Sequence, residues 1–188
     1  MQTIGILALQ GDIAKHTQMI EQLGQRTVRV RYASQLMEID GLIIPGGEST
    51  TIGKLLVRFD LLQPLVDIIN RGLPVFGTCA GLILLAKEID GSDQPRLGCL
   101  DITVSRNAYG PQVESFETDL RVPGLGVDPV RAVFIRAPII LQTAPAVEVL
   151  ARYEDRPVLI RQQHILGASF HPELTTDPRI HQLFLGMF

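Results

Sequence analysis

Pro74-Val75-Phe76-Gly77-Thr78-Cys79-Ala80-Gly81-Leu82-Ile83-Leu84-Leu85-Ala86 reads as an apolar strand that turns through Gly-x-Cys-x-Gly into an apolar helix. The flanking glycines leave room for a tight strand-to-helix turn, the geometry of a nucleophile elbow, here carrying a thiol. Such a turn lifts the Cys79 sulfur above a sheet and places it at a helix N-terminus, which favours thiolate, the reactive form. Simple burial is the competing explanation, because cysteine is among the most buried residue types. Far downstream, Gly167-Ala168-Ser169-Phe170-His171-Pro172-Glu173 offers an imidazole and a carboxylate. Side chains two residues apart in extended chain project to the same side, and Pro172 biases His171 toward extended geometry. If the fold brings positions 79 and 171 together, Cys79, His171 and Glu173 form a set suited to acyl transfer through a thioester.

Working outward, the first half alternates short apolar runs with amphipathic stretches, the pattern of βαβ units and a parallel sheet. Thr3 to Leu9 reads as a central strand, and Asp12 caps a helix to about Leu23 with Gly24 as its stop. Thr27 to Arg31 and Gly41 to Ile44 read as further strands. Ser49, Thr50 or Thr51 caps the next helix, Pro64 suits the first turn of another, and Gly72-Leu73-Pro74 ends it before the Cys79 elbow. After Glu88 the character changes. Leu100 to Ser105, Glu114 to Arg121, Val130 to Ile135, Val147 to Tyr153, Val158 to Arg161 and Ile165 to Phe170 read as strands with little helix between them. The sheet is therefore expected to continue in mixed or antiparallel fashion. Asp177-Pro178 starts a closing helix with Ile180, Leu183, Phe184 and Met187 on its apolar side. The expected fold is α/β, a three-layer sandwich around a mostly parallel sheet.

Length and composition suit one core: 188 residues, 46% hydrophobic, read as a single domain over 1–188. Net charge is −3 and the 17 basic residues are scattered, so no electrostatic footprint points to nucleic acid or an anionic membrane. The N-terminus lacks a basic n-region and meets Gln10 and Asp12 before a signal core or span could form, which predicts a cytoplasmic protein. Two cysteines in a reducing compartment argue against a disulfide framework, and no Cys/His spacing suggests a metal. Cys99 reads as a buried bystander.

A second motif lies in Leu42-Ile43-Ile44-Pro45-Gly46-Gly47-Glu48-Ser49, a strand ending in a diglycine loop before a helix. Free amides in such a loop can point into a cleft at the strand's carboxyl end. Beside the elbow, Gly47 N–H and Ala80 N–H are the candidate oxyanion donors. Arg106 and Arg136, each at the end of a strand, either turn toward a substrate carboxylate or sit in rim salt bridges. Gln10, after the first strand, faces the cleft, faces a docked partner, or belongs to a plain turn. Among the other histidines, His16 reads as a partly buried helix residue and His164 and His181 as surface positions.

Taken together, the Gly-Gly-Glu loop, the Gly-Thr-Cys-Ala-Gly elbow and the His-Pro-Glu terminus resemble the class I, triad-type glutamine amidotransferases, whose flavodoxin-like fold matches the one expected here. Within that superfamily, further stretches resemble the glutaminase subunits of pyridoxal 5′-phosphate synthase. These are Leu9-Gln10-Gly11 with His16, Pro45-Gly46-Gly47-Glu48-Ser49-Thr50-Thr51, Gly91-Ser92-Asp93, Val133-Phe134-Ile135-Arg136-Ala137-Pro138 and Ser169-Phe170-His171-Pro172-Glu173-Leu174. The likeness covers essentially the whole chain. It departs around Ser105 to Gln112, where Pro111 stands in place of a frequent arginine. The resemblance implies glutamine hydrolysis by Cys79, His171 and Glu173, with glutamine bound by Gly46, Gly47, Glu48, Arg106, Ile135 and Arg136. It also implies no cofactor, and transfer of ammonia to a separate (β/α)₈ synthase subunit in a large hetero-oligomer that makes pyridoxal 5′-phosphate, vitamin B6.

Three rival readings differ in partner or chemistry. The glutaminase of imidazole glycerol phosphate synthase keeps the chemistry and changes the partner, but the Gly-Glu-Ser-Thr-Thr loop argues against it. A stand-alone cysteine peptidase or esterase uses a similar elbow and needs no partner. A non-catalytic binding module has no need to keep Cys79, His171 and Glu173 together.

Overall fold

The strands that carry the site are apolar on both faces, and each sits inside a sheet with helices on either side. A computed structural model describes residues 1–106 and 115–188. Its main sheet is built from β1 (Thr3–Leu7), β2 (Arg26–Val30), β3 (Gly41–Ile44), β4 (Val75–Thr78), β10 (Glu148–Tyr153), β11 (Arg156–Gln162) and β12 (Ile165–Ala168). Across the sheet the order is β10-β11-β12-β4-β3-β1-β2. The five strands from β12 to β2 run parallel, while β10 and β11 are antiparallel additions at one edge.

Alternation along each strand sorts the core into two layers. Ile4 and Ile6 of β1, Ile43 of β3, Phe76 of β4 and Leu166 of β12 face one side, where α1 (Ile13–Gln22) and α5 (Arg179–Leu185) cover them through Ile20, Ile180 and Phe184. Leu7, Leu42, Ile44 and Val75 face the other side, against α2 (Ser49–Arg58), α3 (Leu62–Asn70) and α4 (Ala80–Leu85). Each such side chain, fully buried, contributes about 1.5–3 kcal/mol.

The expected strands are present, and three details correct the sequence reading. The segments after Glu88 do not all extend the main sheet. β6 (Leu100–Ser105) pairs with β5 (Ala86–Ile89) and β9 (Ile139–Thr143) in a separate small sheet, and β7 (Phe116–Leu120) with β8 (Val130–Phe134) in a hairpin. β5 and β9 were not expected, because the first continues an apolar helix without a turn signal and the second follows Pro138. Secondly, Ser49, Thr50 and Thr51 do not cap α2. The N-cap is Glu48, in extended conformation, whose carboxylate accepts from Thr50 N at 3.1 Å and Thr51 N at 2.6 Å. Thirdly, Asp12 stands at the N-cap of α1 but makes no side-chain capping bond. Ala108, Tyr109 and Pro111, in the segment that departs from the family pattern, lie outside the described residues, as does Glu114.

In the main sheet β1 is flanked by β2 on one side and β3 on the other, so the winding reverses between β1 and β3. Clefts open beyond the carboxyl ends of parallel strands at such a reversal. Gln10 follows β1, Gly46 to Glu48 follow β3, and Cys79 follows β4.

Candidate active site

Parallel pairing of β4 with β12 brings the distant motifs together. Thr78 is in register with Ala168, and Cys79 N donates to the Ala168 carbonyl at 2.8 Å. The chain then leaves both strands at the same end of the sheet, with Cys79 on one and His171 on the other. At the elbow Cys79 has φ 49° and ψ −103°, a conformation that L residues adopt only under constraint, at a cost of about 1–3 kcal/mol. Gly81 makes the constraint possible: a Cβ there would run into the Ile44 carbonyl oxygen of β3. The strain holds the thiol at the start of α4, facing the cleft.

That cleft has a volume of about 910 Å³ and is lined by Gln10, Gly46, Gly47, Glu48, Cys79, Arg106, Ile135, Arg136 and His171, among others. Nine of the eleven residues singled out from the sequence therefore share one wall system. The other two, Ala80 and Glu173, lie directly behind it, 1% and 3% exposed. Ala80 is the first residue of α4, and Glu173 belongs to a 3₁₀ turn, Pro172–Leu174.

His171 Nδ1 donates to Glu173 Oε1 at 2.7 Å, which leaves Nε2 for the cysteine side. Gly46 permits this approach, since a Cβ there would strike His171 Cε1. Burial pulls the His171 pKa down, but hydrogen bonds to Cys79 and Glu173 and their charges outweigh it and lift the value to about 10. The ring thus keeps its second proton through neutral pH. Glu173 is pushed up by burial and pulled further down by His16 and His171, so it stays ionised in an almost closed pocket. Cys79 Sγ lies 3.8 Å from the Ile135 carbonyl oxygen. Arg136, the next residue, has φ 45°, so the rim turns sharply at this point.

Beside the thiol, the diglycine loop is tied down from two sides. Gly46 N donates to Thr78 Oγ1 at 3.1 Å, and Glu48 N donates to Gln10 Oε1 at 2.8 Å. Gln10 is therefore a cleft residue that holds the loop, and its amide oxygen packs where a Gly47 side chain would otherwise sit. Among the described residues Arg106 enters no rim salt bridge: its Nη1 donates to Thr50 Oγ1 and to Gln94 Oε1, both at 2.6 Å. Gln94 belongs to no sequence pattern that marks a site, and Thr50, although part of the Gly-Glu-Ser-Thr-Thr loop, reads in the sequence only as a candidate helix cap.

Two histidines are placed differently from expectation. His181 is not at the surface and His16 is not partly exposed; both are fully buried, with His16 Nδ1 3.0 Å from His181 Nε2. The residues at 180, 181 and 184 of α5 all face inward, so the buried arc is wider than the apolar stripe suggested. His164 is half-buried, its Nε2 2.7 Å from the Ile69 carbonyl oxygen. Cys99 is half-buried and removed from the cleft, its thiol pushed up to about 11 by burial.

An elbow thiol, a charge-supported imidazole and a diglycine loop at the carboxyl end of a parallel sheet define a class, the cysteine-dependent acyl-transfer enzymes. Comparison with known proteins narrows it. The model of the SNO glutamine amidotransferase family matches residues 6–188, and the chain belongs to that family. A relative from Carboxydothermus hydrogenoformans, named pyridoxal 5′-phosphate synthase subunit PdxT, is 59% identical over 182 residues, covering 97% of this chain and 95% of the relative. A crystal structure of a glutamine amidotransferase is 51% identical, with TM-score 0.93 over 98% of this chain and 97% of the other. The PurLQS structure from Thermotoga maritima, 16% identical with TM-score 0.73 over 99% of both, shares the fold alone.

Proposed function

We propose that this chain is the glutaminase subunit of a pyridoxal 5′-phosphate synthase, releasing ammonia from L-glutamine through a γ-glutamyl thioester on Cys79. Its relatives carry that synthase name over their full length, which favours this reading over the imidazole glycerol phosphate branch and over a stand-alone hydrolase. The observation that carries the chemistry is the 2.7 Å bond from His171 to the buried Glu173, presented to Cys79 inside the cleft. An imidazolium beside a cysteine is the partner that a thiolate nucleophile requires.

Glutamine's carboxamide enters beside Cys79, and the sulfur attacks the carbonyl carbon. The oxygen gains negative charge and is held by the N–H groups of Gly47 and Ala80. As the tetrahedral intermediate collapses, the carbon–nitrogen bond breaks and His171 gives its proton to the departing nitrogen, which leaves as ammonia. Water then attacks the thioester, His171 takes up the proton, and glutamate departs as the sulfur is released. Glu173 holds the imidazole throughout. Gly46, Gly47, Glu48, Arg106, Ile135 and Arg136 bind the amino-acid portion, Arg106 through its fixed guanidinium. Gln10 contacts the synthase subunit at the cleft mouth, and a (β/α)₈ synthase barrel receives the ammonia. The chain works as one domain over 1–188 in the cytoplasm; among the described residues no helix is long and apolar enough to cross a membrane.

Assaying glutamate release from glutamine, with and without the synthase subunit, tests the proposal. Release that is low for the chain alone and rises when the subunit is added is the expected result. No release in either condition, or full turnover by the chain alone with no response to the subunit, contradicts it.

A further inference from the structure

Behind the cleft lies a second, closed chamber that the mechanism above does not use. Glu173 gives one oxygen to His171; the other, Oε2, is buried without a hydrogen bond among the described residues. His16 Nε2 lies 3.4 Å from it. The same nitrogen is 3.2 Å from Thr78 Oγ1, which is the group that accepts from Gly46 N. On its far side, His16 Nδ1 meets His181 Nε2 at 3.0 Å. All four side chains are at least 97% buried, and Phe76 closes the chamber edge-on to both histidine rings.

Only two neutral arrangements satisfy the pair. In one, His16 donates from Nδ1 to His181 and its Nε2 accepts from the Thr78 hydroxyl, but that lone pair lies beside an ionised carboxylate and a His181 N–H is left buried without an acceptor. In the other, His181 Nε2 donates to His16 Nδ1, and the His16 Nε2–H points at Thr78 with Glu173 Oε2 alongside. A carboxylate has only lone pairs to offer, so an N–H beside it is attractive and a lone pair repulsive. An unpaired N–H buried this completely costs about 1–3 kcal/mol more than a satisfied one. Both terms select the second arrangement. A charged His16 is disfavoured by its complete burial, although Glu173 and the more distant Asp12 favour it, while His171 opposes it.

We propose that His16, held by His181 in the tautomer with its proton on Nε2, is a positioning residue for glutamine hydrolysis. Its single N–H serves both halves of the site: it steadies the free oxygen of Glu173, and through Thr78 it fixes the Gly46 end of the diglycine loop. The triad carboxylate and the loop that presents Gly47 are thereby set by one buried ring. Histidine suits this role because its two nitrogens reach opposite neighbours and one fixes the other.

The kinetic part of this inference rests on the glutaminase reading; the tautomer does not. Imidazole ¹⁵N spectra of the full chain at neutral pH are expected to show His16 neutral and protonated at Nε2. The opposite tautomer, or an imidazolium, overturns the proposal whatever the protein hydrolyses. In the complete enzyme with its synthase subunit, His16→Leu is expected to lower kcat about ten- to a hundredfold while glutamine KM stays within about twofold. His16→Gln, which keeps an N–H near the same point, is expected to recover most of that loss and also serves if the leucine variant does not fold. Placed on Glu173→Gln, His16→Leu is expected to cost clearly less than it does in the wild-type enzyme, since the charge is gone and only the link through Thr78 to the loop remains to be lost. Equal damage from Gln and Leu, or an undiminished loss on Glu173→Gln, contradicts the assignment. A wild-type enzyme that releases no glutamate sinks the function instead, and the spectra still decide the tautomer.

Discussion

Two histidine environments meet at Glu173, and they hold their protons in opposite ways. On the cleft side, the pKa of His171 is lifted to about 10 because Cys79 and Glu173 supply charge and hydrogen bonds that burial cannot offset. On the chamber side, burial wins: His16 is lowered, and His181 is pushed down to about 3, chiefly by burial. The residue type is the same, but His171 opens onto the cleft whereas His16 and His181 are wholly enclosed. Anionic partners differ too, since Glu173 gives His171 its direct hydrogen bond and only grazes His16. One carboxylate thus sustains a charged ring that can move protons and a neutral ring that can only hold them.

The largest break in this comparison comes from removing the charged side. His171→Ala is expected to lower glutamine turnover by about a thousandfold or more, with Glu173→Gln losing about 10²- to 10⁴-fold while glutamine still binds. The double variant should lose little beyond His171→Ala, because the two residues act as a unit. Steady-state kinetics with the synthase subunit checks all three. Losses that multiply would remove Glu173 from the orienting role.

A smaller effect separates binding from chemistry on the cleft side. Arg106 is pinned by Thr50 and Gln94, so its fork is pre-set for a carboxylate. Arg106→Lys keeps the charge and loses the fork, and is expected to raise glutamine KM about tenfold with little change in kcat. A fall in kcat at constant KM would place Arg106 in the chemistry rather than in binding.

How much of this was readable beforehand follows from the kind of signal each part leaves. The elbow, the diglycine loop and the His-Pro-Glu terminus are short-range patterns in which backbone geometry demands glycine or proline at fixed offsets, and all three mark the cleft. The parallel sheet was legible for a similar reason, since strands buried on both faces leave continuous apolar runs such as Leu42 to Ile44. The chamber left no such trace. His16 and His181 are far apart in sequence and sit on two amphipathic helices, where a histidine ordinarily faces solvent. Only the packing of α1 and α5 onto β4 brings them beside Glu173. The Glu48 cap was missed because three hydroxyl residues follow it, and a carboxylate one position earlier reaches the same amides.

The smallest expected effect sharpens the comparison through pH. Unfolded, His181 takes a proton as the pH falls through 6.5; folded, it refuses until about 3. The folded state therefore binds fewer protons in that window, and stability falls as the pH drops from 6.5 toward 3, by at most about 1.4 kcal/mol per pH unit for this group. His171 has the reverse sign. Its contribution is complete below pH 6.5 and is lost as the pH rises toward about 10. Chemical denaturation between pH 6.5 and 5, above the range of ordinary carboxylates, should show the acid loss, and His181→Phe should make it shallower. An unchanged slope would show that the chamber histidines are not its source.

The central claim, that Cys79 alone carries the acyl group, is tested most directly by covalent trapping. Treating the complete enzyme with a diazo-ketone glutamine analogue and mapping the adduct by mass spectrometry should give one modified site, Cys79, with Cys99 untouched behind its raised pKa. An adduct on Cys99, or turnover that persists in Cys79→Ser, would contradict the account.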